Sequence, residues 1–153
     1  MKLYCIKIKS AWWGNLFEPG RWYDSTLSIS DFKEYQMIVD ESSYFEKMRM
    51  VASKESIKLA QSGIPQGKIK EHIPGYMTLS EIRDSFTIKV YIPVYLVTDE
   101  QGTTNVFIQT TRKKLMVDYG IDKIKFTTTV DFVEDYFIDV SKVREDKLKI
   151  LGI

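Results

Sequence analysis

Apolar and polar residues alternate in several stretches of the chain, and that period of two is the mark of a half-buried strand. In residues 2–9, Leu3 and Cys5 face one way while Lys2, Tyr4, Ile6 and Ile8 face the other. The clearest case is Phe86, Ile88, Val90, Ile92, Val94 and Leu96, alternating with Thr87, Lys89, Tyr91, Pro93 and Tyr95. Pro93 cannot donate to a ladder, so it predicts an edge, a bulge or a bend. Asp99–Gly102 reads as a turn, with Val106–Gln109 returning antiparallel as a hairpin. Further strands are predicted at Arg21–Asp24, Tyr35–Asp40, Ile124–Phe132 and Tyr136–Val140. Pro19-Gly20 precedes the first of these and fits a type II turn, proline fixing φ and glycine supplying the positive φ.

The middle of the chain changes period. Ser43 with Glu46 has capping-box form, a break is expected near Ala52-Ser53, and a short second helix runs from Lys54 to Gln61. Gly63 is the candidate residue beyond its C-terminus. Ile64-Pro65-Gln66-Gly67 and Ile73-Pro74-Gly75 read as an irregular connector. Thr78 with Glu81 opens another helix, residues 112–119 form one ended by Gly120, and Ser141 caps a terminal one. The predicted class is α+β: a largely antiparallel β-sheet or small barrel, with short helices in the middle and at the C-terminus. A single domain over 1–153 is expected. A subdivision would fall into a β unit at 1–45, a connector at 46–85 and a β-rich unit at 86–153.

Composition narrows the chemistry. With 153 residues, 44% hydrophobic and 28% charged, the chain is globular in type and long enough to bury a core without metal or disulfide staples. A net charge of +1 argues against binding nucleic acid or anionic membrane by bulk electrostatics, while leaving room for a local patch. One cysteine, Cys5, allows no internal disulfide and no cysteine zinc site. One histidine, His72, sits in a charged stretch entering a turn. No nucleophile elbow, phosphate-binding glycine loop or dinucleotide fingerprint is present. No apolar run reaches membrane-span length, and the N-terminus lacks a signal-peptide pattern. The chain is expected to be soluble, cytoplasmic and without a cofactor.

Four constellations remain. All 3 tryptophans fall within a dozen residues: Trp12, Trp13 and Trp22, beside Phe17, Tyr23, Lys7, Lys9 and Arg21. Aromatics with arginine suit a protein-binding hot spot, and equally the stacking of bases. Packing of Trp22 and one of the paired indoles into the core is the structural alternative. The second constellation is acidic: Asp131, Glu134, Asp135 and Asp139, which could hold Mg²⁺ or Ca²⁺ or form an anionic face. The third is Arg112-Lys113-Lys114, cations placed where a helix dipole disfavours them, which points toward a phosphate or an acidic surface. The fourth is an exposed face carrying Lys89, Tyr91 and Tyr95, suited to a peptide, a nucleotide or another sheet.

The run from the first short strand through Phe17-Glu18-Pro19-Gly20-Arg21-Trp22-Tyr23-Asp24 to Tyr35-Gln36-Met37-Ile38-Val39-Asp40-Glu41 resembles small β-barrel modules of Src-homology type, which recur in bacterial and phage-encoded proteins. The resemblance implies an interaction module and not an enzyme. With no catalytic motif, balanced charge and aromatics concentrated at a turn, the leading expectation is a non-enzymatic intracellular phage or mobile-element accessory or inhibitor protein. It would bind a protein partner through Trp12, Trp13 and Tyr23, with Arg21, Arg112, Lys113 and Lys114 orienting it. Two alternatives stand beside it. One is a nucleic-acid or nucleotide binder using Lys89, Tyr91 and Tyr95; the other is a metal-dependent phosphodiester enzyme using Asp131, Glu134 and Asp135.

Overall fold

The structure, a computed structural model, describes residues 1–138, 149, 150 and 152, without the side chains of residues 28–32. In chain order the elements are β1 (Lys2–Cys5), β2 (Lys9–Ala11), β3 (Gly14–Phe17), β4 (Trp22–Ile38), α1 (Glu41–Val51), α2 (Lys54–Gln61), α3 (Gln66–Ile69), α4 (Leu79–Phe86), β5 (Thr87–Thr98), β6 (Thr104–Ile108), α5 (Arg112–Tyr119), α6 (Val133–Tyr136) and β7 (Phe137–Ile138). The protein is α+β. Its main sheet has the strand order β6-β5-β4-β1-β7 and is open among the described residues; β2 and β3 form a separate hairpin. None of the described helices is long and apolar enough to cross a membrane. Two compact units emerge, both discontinuous in sequence. One comprises Met1–Glu34, Tyr91–Gly120 and Thr129–Ile153, the other Tyr35–Val90 and Ile121–Thr128.

In the first unit, β1 pairs antiparallel with β4 (Leu3 opposite Tyr23) and with β7 (Cys5 opposite Phe137). The predicted inward pair, Leu3 and Cys5, is fully buried. Phe17 is the hub of the core, meeting Tyr23, Phe107 and Phe137 edge-on with ring centroids 4.8, 5.5 and 5.1 Å away. Edge-to-face rings gain about 0.5–1.5 kcal/mol per pair beyond their burial, because a positive ring edge meets a negative face. The Pro19-Gly20 turn forms as expected. Gly20 takes φ +86°, its N–H donates to the Cys5 carbonyl, and the Cys5 N–H donates to Arg21.

The β5–β6 hairpin also forms, with Val94 opposite Ile108 through Thr98 opposite Thr104. Asp99 shapes its turn. One carboxylate oxygen accepts from the N–H groups of Gln101 and Thr103 at 2.9 and 3.0 Å, and the other accepts from the Asn105 amide at 2.8 Å. Burial works to raise the Asp99 pKa, but these three donors outweigh it and hold the group below the usual carboxylate range. Pro93 lies one residue outside the ladder, and its carbonyl accepts from Gln109. The alternation along β5 needs correcting. Val90, Ile92 and Val94 are buried on one face, but Tyr95 and Val97 are buried on the other. Tyr95, expected beside Tyr91 on an open face, is 2% exposed and belongs to the core around Phe17.

In the second unit the helix ends follow their caps. Ser53 caps α2, and the break before it stands where it was predicted. Gly63 takes φ +85°, while Gly63 and Ile64 donate to Ala60 and Leu59 in a Schellman closure. The Thr78–Glu81 capping box opens α4. One cap differs: α1 starts from Asp40, whose carboxylate accepts from the Ser43 N–H, rather than from Ser43. Asp40 lies three residues ahead of that N–H, so it satisfies the orphan donor first. Ile69, Ile73 and Tyr76 form this unit's helical core.

The long strand expected at 124–132 is replaced by irregular backbone with single bridges, Met37 to Phe126 in this unit and Ile108 to Phe132 in the first. Phe126 and Phe132 are buried, but Thr128 between them is exposed. The strand expected at 136–140 begins one residue late, as β7, and its last two residues lie outside the described ones. The helix expected after Ser141 starts outside them too.

Candidate functional site

Lys9 to Phe17 fold into a hairpin whose loop consists of the two residues Trp12 and Trp13. Ala11 sits opposite Gly14, Ser10 opposite Asn15 and Lys9 opposite Phe17, with a register shift after Lys9. Two-residue hairpin loops favour Asn-Gly, since both central residues want positive φ. Here the tryptophans keep negative φ, and Gly14 absorbs the reversal at φ +142°. The Ser10 hydroxyl donates to the Asn15 side chain at 2.8 Å.

The base of this hairpin is anchored. Phe17 is in the core, the Leu16 carbonyl accepts from the Glu100 N–H, and Lys9 pairs with Asp131 at 3.0 Å over the Tyr136 ring. Its tip is not anchored. Trp12 is 92% exposed and Trp13 55%. Their rings meet edge-on at 5.3 Å, so much of the indole surface that each could shelter is left to solvent. Core packing of either ring, the structural alternative, is excluded. Trp22 is also partly exposed and leans on Tyr4 at 5.1 Å.

The other residues expected at a partner surface are committed elsewhere. The Tyr23 ring is buried, its hydroxyl donates to Glu100 at 2.6 Å and it accepts from the Glu18 N–H. Burial, then the Glu100 bond, push the Tyr23 phenol up to about 12. Arg21 pairs with Glu100 at 2.8 Å and with Glu18 at 3.2 Å. Glu100 itself was not apparent as a partner, because 77 residues separate it from Tyr23 and no local pattern marks it.

The basic triplet and the acidic run turn out to face each other. The Arg112 guanidinium forms a fork with Asp135 at 2.6 and 2.7 Å, reaches Glu134 at 3.2 Å and lies 4.1 Å over the Phe132 ring. Glu134 also accepts from the backbone N–H of Arg112 at 3.0 Å. That carboxylate offsets the helix dipole at the start of α5, where the cations had seemed misplaced. The Arg112 bond holds Asp135 below its ordinary pKa. Lys114 pairs with Asp118 at 3.0 Å, leaving Lys113 exposed beside them.

These pairings correct the metal alternative. Asp131, Glu134 and Asp135 are each bound to a cation of the chain, and among the described residues no group of three or more His, Cys, Asp and Glu side chains is placed to hold a metal. Asp139 lies outside the described residues. The exposed-face alternative is reduced as well. Tyr91 is 57% exposed and Lys89 is exposed, but Tyr95 is not available to them. Cys5 is buried with its thiol donating to the Lys7 carbonyl, and burial raises its pKa. Comparison with known proteins gives no matching family model, no matching curated protein and no matching solved structure.

Proposed function

We propose that this chain binds another protein by inserting the Trp12-Trp13 hairpin tip into an apolar cleft of its partner. The exposure of Trp12 carries the reading. An indole open to water on a two-residue loop costs solubility and gives the fold nothing in return. Buried at an interface, it is the commonest kind of hot spot. The anchored hairpin base supports this, since it fixes the strands that carry the tip and limits the entropy lost on docking. Charge supports a protein over a nucleic acid. Lys9, the one cation in the hairpin, is neutralised by Asp131, so the tip lacks a free group for phosphate.

The test is comparative capture from cells with the wild-type chain and with Trp12→Ala/Trp13→Ala, followed by direct titration of the purified partner. Hot-spot tryptophans are worth about 2 kcal/mol or more each, so the double variant should bind at least about a hundredfold more weakly. Its circular dichroism should be unchanged. A partner bound equally by both proteins overturns the reading. So does a blue shift of wild-type tryptophan emission on neutral phospholipid vesicles that the double variant lacks, which would assign the tip to a membrane surface.

A further inference from the structure

We propose that the first unit carries a binding site for a neutral amphipathic small molecule, in a cavity separate from the tryptophan hairpin. The cavity holds about 410 Å³. It is a half-open cleft rather than an enclosed void, and ligand pockets run to about 300–1,000 Å³. Its floor is formed by Leu3, Phe137 and the ring of Tyr95, all from the buried core. Ile6, 43% exposed, lines it at the solvent side.

The polar lining defines the ligand's class. Gln109 and Thr110 border the cavity at the end of β6, and neither side chain has a hydrogen-bond partner among the described residues. Thr110 is 9% exposed, and since no fully buried side-chain oxygen lacks a partner among the described residues, its hydroxyl opens on accessible space. An amide and a hydroxyl, each able to donate and accept, are left at the margin of a mainly apolar cleft. The two charged residues of the lining are already neutralised, Glu134 by Arg112 and Lys114 by Asp118. Among the described lining residues no unpaired charge selects an ion, and desolvating an ionic head there costs more than desolvating a neutral one. The fitting occupant has an apolar body and one neutral hydrogen-bonding head, an amide or an alcohol.

The experiment is a titration of the full chain, methyl-labelled at Ile, Leu and Val, with decanamide, decanoate and decyltrimethylammonium. Decanamide should give saturable shifts of the Leu3, Ile6, Val133 and Ile138 methyls and leave Ile57 and Val117 unmoved. Decanoate and the ammonium compound should bind at least about tenfold more weakly. Ile6→Trp, a substitution at a half-exposed position, should close the cavity and abolish the shifts. Thr110→Val keeps the shape and should weaken decanamide about fivefold, the worth of one net hydrogen bond. Shifts spread over exposed methyls, no saturable shift, or decanoate binding more tightly than decanamide each overturn the proposal. Trp12→Ala/Trp13→Ala should bind decanamide as wild type does, which separates this site's failure from that of the hairpin reading.

Discussion

The hairpin tip and the start of α5 look alike in the sequence. Both concentrate residues typical of binding sites, Trp12 and Trp13 in one and Arg112, Lys113 and Lys114 in the other. In the fold they part company. Arg112 spends its guanidinium on Asp135, Glu134 and the Phe132 ring, so two carboxylates of the acidic run are taken up in the same contacts. Trp12 makes one edge contact with its neighbour and is otherwise in water. Residue type is therefore a poor guide to a binding surface. Bonding capacity that the chain leaves unused is a better one, and it separates these two clusters cleanly.

That contrast can be broken by substitution. Phe17→Ala, at the buried base of the hairpin, removes a ring packed edge-on against three others and should cost about 3–5 kcal/mol, read from urea denaturation midpoints. Arg112→Ala should cost about 1–2 kcal/mol. The figure is held down by the partial exposure of the pair, and Arg112→Lys, which lacks the fork, should recover only part of it. Trp12→Ala should move stability by no more than about 0.5 kcal/mol. A large loss there would mean that the tip supports the fold, and the two clusters would no longer differ.

Acid titration sharpens the same comparison. Asp135 has its pKa lowered by Arg112, so the stability it contributes is present above the unfolded carboxylate pKa and is lost as pH falls through the folded value. Denaturation midpoints should therefore be insensitive to this pair from neutrality to about pH 4 and fall below it. Arg112→Ala should show a shallower fall, because its Asp135 has lost the bond that lowers its pKa. Asp99 supplies an acid-sensitive background common to both proteins.

Local chemistry was readable in advance and long-range pairing was not. Ser53, Thr78 and Gly63 act within four residues of themselves, so their spacing suffices to place them. Tyr95 could not be placed that way. Alternation says which side a residue faces, and β5 buries one side up to Val94 and the other from Tyr95 onward. The 124–132 segment alternates well but finds only single bridging partners, and a strand needs a neighbour as well as a pattern. At the candidate site, the indoles were apparent as residues, while their exposure depends on the two-residue loop. The pairing of Arg112 with Glu134 and Asp135 spans 22 and 23 positions, a separation at which charge pattern carries no register.

Cys5, the chain's single thiol, lies on β1 between β4 and β7, sealed from solvent, donating to a carbonyl and held protonated by its burial. An alkylating reagent can reach its sulfur only when β1 separates from its neighbours. Labelling kinetics at this one atom thus act as a clock for the opening of the central sheet, with every reacted molecule recording one such event. A tightly bound partner or ligand that braces the first unit would slow that clock without touching the cysteine.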